Sequence, residues 1–287
     1  MEEKEESEWK DSFARKLVIP IILIWIVLAI IFGFTDLQIS IGIVDENSIW
    51  AKFIADYGEY PGWIMVFISI YVLIGSVNRS GKGKYIIFIA TIIIAIVLLL
   101  YRVIDELVSE GNLLNIGIYE YFLIPALGIV IGLILHFVFK KIPSDKFHPY
   151  IKFGQITLLL AIINPLIFVQ IVKLLWGRVR FRNLTPPGYP EFTPWYIPQG
   201  YTGNQSFPSG HTAMGFMLLP LILLVLNKDK KIKYFISIIV IAGGIIEALG
   251  RIVIGAHYAS DTLFSAGMAS IVFLFLYKKY YFSTKSN

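Results

Sequence analysis

Three clusters of residues suited to binding and splitting a phosphate ester lie in the second half of a chain of 287 residues. The first is Lys173, then six residues, then Arg180, followed by Phe181 and Arg182. The second is Pro208, Ser209, Gly210 and His211; the third is Arg251, five residues, His257, three residues, Asp261. Lys173 brings a point charge, and Arg180 and Arg251 bring planar donor forks that match phosphate oxygens. Ser209 and Gly210 open an apolar run, so their amides and the hydroxyl can turn donors toward the same anion at a helix start. His211, on the first turn, is placed to act as general acid to a leaving oxygen. His257 and Asp261 share a helix face at a spacing of four, so the carboxylate can hold the imidazole in one tautomer. The other nitrogen of His257 is then a nucleophile for phosphorus, and water activated by His211 hydrolyses the covalent intermediate.

The elements that must position these residues are membrane helices. Hydrophobic residues make up 56% of the chain and charged ones 16%, and the mean hydropathy is +0.71. That is too apolar for an ordinary soluble domain. The apolar residues collect in runs long enough for a helix to cross about 30 Å of hydrocarbon. Eight spans are expected, near 17–34, 62–78, 85–102, 120–140, 151–173, 211–227, 233–251 and 258–277. Unpaired backbone is too costly in lipid for anything but helices here, so the fold class is all-α, a polytopic transmembrane bundle of about 8 spans. Residues 1–16 read as a charged cytoplasmic leader and 17–287 as a single membrane domain, with the catalytic region at about 151–278. The absence of cysteine excludes disulfides, thiolate metal sites and a cysteine nucleophile.

Loop charge sets the expected orientation. Lysine and arginine crowd the leader, Arg79 to Lys84, Lys140 to Lys146, Lys228 to Lys233 and the tail, whereas the alternate loops carry Asp36, Asp45, Glu46, Asp56, Glu59, Asp105, Glu106 and Glu110. Both termini are therefore expected in the cytoplasm and the three clusters outside it. Lys173, Arg178, Arg180, Arg182 and Arg251 break this rule on the outer side, and a bound anion accounts for them. The net charge of +5 is otherwise topology, with no call for nucleic acid; membrane lipids and a lipid phosphate are the expected partners.

The three clusters resemble the signature motifs of the type 2 phosphatidic-acid-phosphatase superfamily, which also holds glucose-6-phosphatases and vanadium haloperoxidases. The resemblance implies phosphate binding by Lys173 and Arg180, roles for Ser209, Gly210 and His211 in the second motif, and roles for Arg251, His257 and Asp261 in the third. It also implies no metal cofactor and a six-helix PAP2-like core, so two of the eight spans are additions. Phe181 stands where the family has proline, and Gly250 where it has serine. The substrate expected first is an isoprenyl diphosphate such as undecaprenyl diphosphate, then phosphatidate or phosphatidylglycerol phosphate. A glucose-6-phosphatase-like hydrolase of soluble esters, a phosphotransferase and a non-catalytic anionic-lipid transporter are the alternatives.

Further residues carry smaller expectations. Glu247, four before Arg251, suits a helical ion pair that fixes the arginine. Arg178 and Arg182 are expected at lipid headgroups, with Arg182 also placed to meet a second phosphate. His148 reads as a solvated loop residue. The proline-rich, aromatic segment from Asn183 to Gln205 reads as a cap over the pocket, an interfacial plug or a passive connector. Gly243, Gly244 and Gly250 suggest close helix packing, and Asn164 with Pro165 a kink.

Overall fold

The structure, a computed structural model, describes residues 18–76, 137 and 142–282. The span expected near 85–102, that near 120–140 except residue 137, and the charged leader lie outside the described residues. In chain order the main helices are α1 (Ile19–Ile43), α2 (Ile49–Tyr57), α3 (Tyr60–Ser76), α4 (Ile151–Ala161), α5 (Val169–Trp176), α6 (Gly210–Gly215), α7 (Lys230–Val253) and α8 (Ala259–Phe282). A π-helical stretch, Ile162–Phe168, joins α4 to α5 around Pro165, where the kink was expected. Among the described residues, five helical stretches are long and apolar enough to cross a membrane: Ile19–Ile43, Ile49–Ser76, Ser144–Asn183, Lys230–Val253 and Ala259–Phe282. The shorter apolar stretch Gly210–Val225 follows the second motif.

The chain divides into two compact units, Met1–Met65 with Leu159–Asn287, and Val66–Leu158. In the second, Gly75 lies against the Phe147 ring, where a Cβ would come within 2.8 Å. There His148 is exposed, with Nε2 3.2 Å from the Ser76 carbonyl. All three motifs belong to the first unit.

The helices of that unit carry their apolar residues outward. On α1 the buried residues are Ala29, Gly33, Asp36 and Ser40, one stripe at helical spacing, while Leu23, Ile24, Val27, Ile30 and Phe34 are exposed. The pattern on α7 is the same: Val240, Gly244, Glu247 and Arg251 face inward, and Ile238, Ile239, Ile245, Ile246 and Leu249 face outward. In water this arrangement is untenable; in lipid, small and polar residues belong between helices and large aliphatic ones against the acyl chains.

Small residues set the helix approach. A Cβ on Gly267 of α8 would sit 2.5 Å from Trp25 of α1, and one on Gly244 of α7 2.7 Å from the Phe216 ring. Gly250, where the family has serine, faces Ile54 of α2 at 2.7 Å by the same measure. The departure from the motif thus lets α2 lie against α7.

The ends of α1, α5 and α7 and the starts of α6 and α8 meet at one end of the unit. Short backbone bonds tie them: Asp45 N to the Val253 carbonyl at 2.8 Å, Arg182 N to that of Gly255 at 3.0 Å, and Ser209 N to that of Asp261 at 3.1 Å. Gly177 ends α5 in the left-handed conformation, φ 54°, and its missing Cβ leaves room for the Gly200 carbonyl. Only glycine turns there without strain, and that turn carries the chain from Lys173 round to Arg180.

The segment from Asn183 to Gln205 packs along α1 and α8. Trp195 donates through Nε1 to the Ala29 carbonyl at 2.9 Å, and its ring lies 4.5 Å from that of Phe264. Trp176 in turn donates to the Trp195 carbonyl. These contacts anchor the segment to the bundle beside the motifs.

Candidate active site

His257 lies in the turn between α7 and α8, 2% exposed. Its Nδ1 is 2.5 Å from the Ser206 carbonyl and 3.6 Å from Asp261 Oδ2. A carbonyl only accepts, so Nδ1 carries the proton and Nε2 is left with its lone pair. The expectation that Asp261 holds the imidazole is therefore corrected in detail. The main chain of Ser206 takes the ring proton, and the carboxylate stands behind at electrostatic range. Burial pushes the His257 imidazole down to about 3, with Arg251 and Arg180 adding to the effect against the pull of Asp261. The ring is neutral at physiological pH.

Asp261 is occupied on every side. Oδ2 accepts from Ser206 Oγ at 2.5 Å and from the Tyr258 amide at 2.9 Å, a reach back over the helix start that caps α8. Oδ1 accepts from Arg178 Nη1 at 2.6 Å.

Arg178 departs most from the sequence expectation. Instead of meeting headgroups it is 1% exposed. It donates from Nη1 also to Ser260 Oγ at 2.8 Å, from Nη2 to Asp36 Oδ2 at 2.9 Å and from Nε to the Thr193 carbonyl at 2.8 Å. The guanidinium lies 3.9 Å from the Tyr258 ring centroid. Asp36, read from the sequence as an outer-loop acid, is in α1 and 1% exposed; it also accepts from the Ser260 amide at 2.9 Å. Two buried carboxylates share one guanidinium that has no water to retreat to, an arrangement held only because each donor has an acceptor. The signal was available for Asp36, since an acid next to a long apolar run is costly unless paired.

His211 occupies a different setting. Its side chain is 23% exposed, and Nδ1 is 3.0 Å from Glu59 Oε1, off the line of a hydrogen bond but within ion-pair range. Nε2 is 3.2 Å from the Ala55 carbonyl in the last turn of α2. Ser209 precedes it as the α6 cap, accepting from Thr212 N at 3.3 Å and Thr212 Oγ1 at 3.0 Å, so its own hydroxyl proton remains to be given.

The cations gather around these rings. Lys173, 6% exposed, is in the last turn of α5, and Arg251, 7% exposed, in the last turn of α7. The charges of Arg180, Arg182, Glu59 and Glu247 act on Arg251. Arg251 makes no ion pair among the described residues, and its Nε has no partner. The pair expected between Glu247 and Arg251 does not close. Glu247, 3% exposed, turns its Oε2 toward Gly58, where a Cβ would collide with it, and its Oε1 is unpartnered. Arg182 is exposed. Phe181, in the place of the family proline, stacks near Tyr189 at 5.6 Å and edges onto Tyr258 at 6.4 Å.

Residues 154–285 match the PAP2 superfamily. The matched residues hold all three motifs. The chain is also 29% identical, over 162 residues that cover 51% of it and 69% of the relative, to a lipid A 4'-phosphatase of Francisella tularensis subsp. novicida (strain U112). No solved structure matches. The PAP2 match and the relative support a phosphatase activity, and with the apolar helices they support a membrane protein.

Proposed function

We propose that the chain is a membrane lipid phosphatase that works through a phosphohistidine on His257. The observation that carries this reading is the lock on Nδ1 by the Ser206 carbonyl, which leaves Nε2 unprotonated in a ring on which the charges of Arg251 and Arg180 act, with no ion pair on Arg251 among the described residues. In the first step Nε2 attacks phosphorus, the bond to the leaving oxygen breaks, and that oxygen takes a proton from His211. Lys173, Arg180, Arg251 and the Ser209 hydroxyl hold the equatorial oxygens, with the Gly210 amide heading α6. In the second step water attacks phosphorus, His211 takes its proton, and the phosphorus–nitrogen bond breaks to restore the neutral ring. Asp261 balances the positive charge that the ring acquires while it carries the phosphoryl group.

The substrate class follows from the surroundings. The clamp stands at the end of a bundle whose outer faces are aliphatic, so an ester whose tail stays in the bilayer reaches it without leaving lipid. Isoprenyl diphosphate, phosphatidate and phosphatidylglycerol phosphate fit this description, as does a lipid A phosphate of the kind named in the relative. Arg182, exposed and acting on Arg251, is placed to meet the second phosphate of a diphosphate. From the loop charges, the reaction is on the extracytoplasmic side.

Phosphate release in detergent from these four lipids and from glucose 6-phosphate tests the reading. Release from lipids by the wild type, lost in His257→Ala, is expected. A preference for glucose 6-phosphate would replace the lipid reading with a soluble-ester one, and no release from any substrate would overturn the phosphatase reading itself.

A further inference from the structure

Glu59 belongs to none of the three motifs, yet its carboxylate is 3.0 Å from Nδ1 of His211. It is in the short break between α2 and α3, at Gly58 and Glu59. The break has two consequences. It leaves the last carbonyls of α2 without helical donors, and one of them, that of Ala55, is 3.2 Å from Nε2 of His211. It also turns Glu59 inward, with its side chain 18% exposed, where the charges of His211, Arg251 and Lys173 act on it.

Both nitrogens of His211 therefore face groups that accept and cannot donate. A carbonyl facing Nε2 calls for a proton there, and a carboxylate within ion-pair range of Nδ1, though off the line of a hydrogen bond, favours the doubly protonated ring. A helix C-terminus and a carboxylate each favour a cationic imidazole, whereas Lys173, Arg180 and Arg251 oppose it. Fixed cations near a general acid favour loss of its proton, and an anion beside it opposes that loss. Among the described residues Glu59 is the anion within ion-pair range of this ring. Glu247, the other acid acting on Arg251, is turned to Gly58, and Asp261 is committed to Arg178, Ser206 and Tyr258.

We propose that Glu59 is a positioning residue for the reaction, holding His211 protonated and fixing Nδ1, so that Nε2 exchanges the Ala55 carbonyl for the leaving-group oxygen when substrate binds. The proposal rests on the phosphatase reading for the second clause only; the protonation of His211 by Glu59 stands or falls apart from it.

Two measurements separate the cases. The chain has four histidines, so 15N-histidine labelling of the full protein in nanodiscs gives few imidazole signals, and His211→Ala identifies the one that matters. In the wild type that ring is expected to be doubly protonated at neutral pH, with a titration midpoint that moves to lower pH in Glu59→Gln. An unchanged midpoint in Glu59→Gln overturns the proposal whatever the activity. The second measurement compares p-nitrophenyl phosphate, whose leaving group needs no proton, with an alkyl phosphate, whose leaving group does. Glu59→Gln is expected to lower kcat for the alkyl ester by about 10 to 100-fold, as loss of a supporting partner does elsewhere, and to change the aryl ester little, with Glu59→Asp restoring part of the loss. Equal losses on both esters would mean a structural role and overturn it. If the wild type splits neither these esters nor any lipid of the panel while the midpoint still shifts, the phosphatase reading fails and the Glu59–His211 pairing survives.

Discussion

The two histidines of the candidate site are about as differently housed as one pocket allows. His257 is sealed, neutral, and fixed through Ser206 and Asp261 to a guanidinium that two helices share. His211 is partly open and stands between a carboxylate and a helix end. A nucleophile must keep a lone pair when cations surround it, and burial does that. An acid must keep a proton among the same cations, and fixed negative charge does that. Under the proposed mechanism this difference sets two identical side chains to opposite tasks.

The largest effect expected from breaking this contrast is on the sealed side. His257→Ala should cost about 10⁴-fold or more in phosphate release, since it removes the proposed acceptor of the phosphoryl group. Arg178→Ala should act through stability first. It strands two buried carboxylates, a loss of about 3–5 kcal/mol, to be read as a lowered Tm in detergent and as lost activity even at lipid concentrations that saturate the wild type. Asp36→Asn should cost less, because Asp261 still partners the guanidinium.

On the open side, His211→Ala should slow release about 10² to 10⁴-fold for esters with poor leaving groups and much less for aryl esters. The pH profile sharpens the same contrast. A ring held near 3 is deprotonated throughout the working range, so no activity limb between pH 5 and 8 belongs to His257. Any limb there should be displaced by Glu59→Gln and left in place by Ser206→Ala, which keeps the main-chain carbonyl. The smallest effect is expected at the rim, where Arg182→Ala should raise KM for a diphosphate a few fold and leave a monophosphate nearly unchanged.

The sequence disclosed one of these two sides better than the other. Motif spacing singled out His257, Asp261 and His211 as candidates, but their partners Ser206, Arg178, Glu59 and Ala55 are distant in sequence and could not be read from it. Arg178 was misjudged because nothing local distinguishes a headgroup arginine from a buried one; its partner Asp36 is 142 positions away. Asp36 itself was legible as an acid against an apolar run, but placing the end of that run at 34 rather than at Ile43 put it in a loop. Glu59 was read as one acid of an outer loop, because the charged stretch with Lys52, Asp56 and Glu59 shows no long apolar run, and α2 with the break that follows it went unseen. The helices were readable wherever the apolar runs were long, and the inward stripes of Gly, Ser and charge on α1 and α7 could be read only once the lipid-facing side was known. Phe181 and Gly250 became intelligible through Tyr258 and Ile54, both distant in sequence.

The claim on which the account depends is the covalent step at His257. Rapid-quench labelling with 32P-labelled p-nitrophenyl phosphate in His211→Ala tests it most directly, because the aryl leaving group needs no acid while hydrolysis of the intermediate lacks its base. An acid-labile, alkali-stable phosphoryl label on the protein, absent when His257→Ala is added, is the predicted result. Label that survives His257→Ala, or turnover with no label at any time, would contradict it.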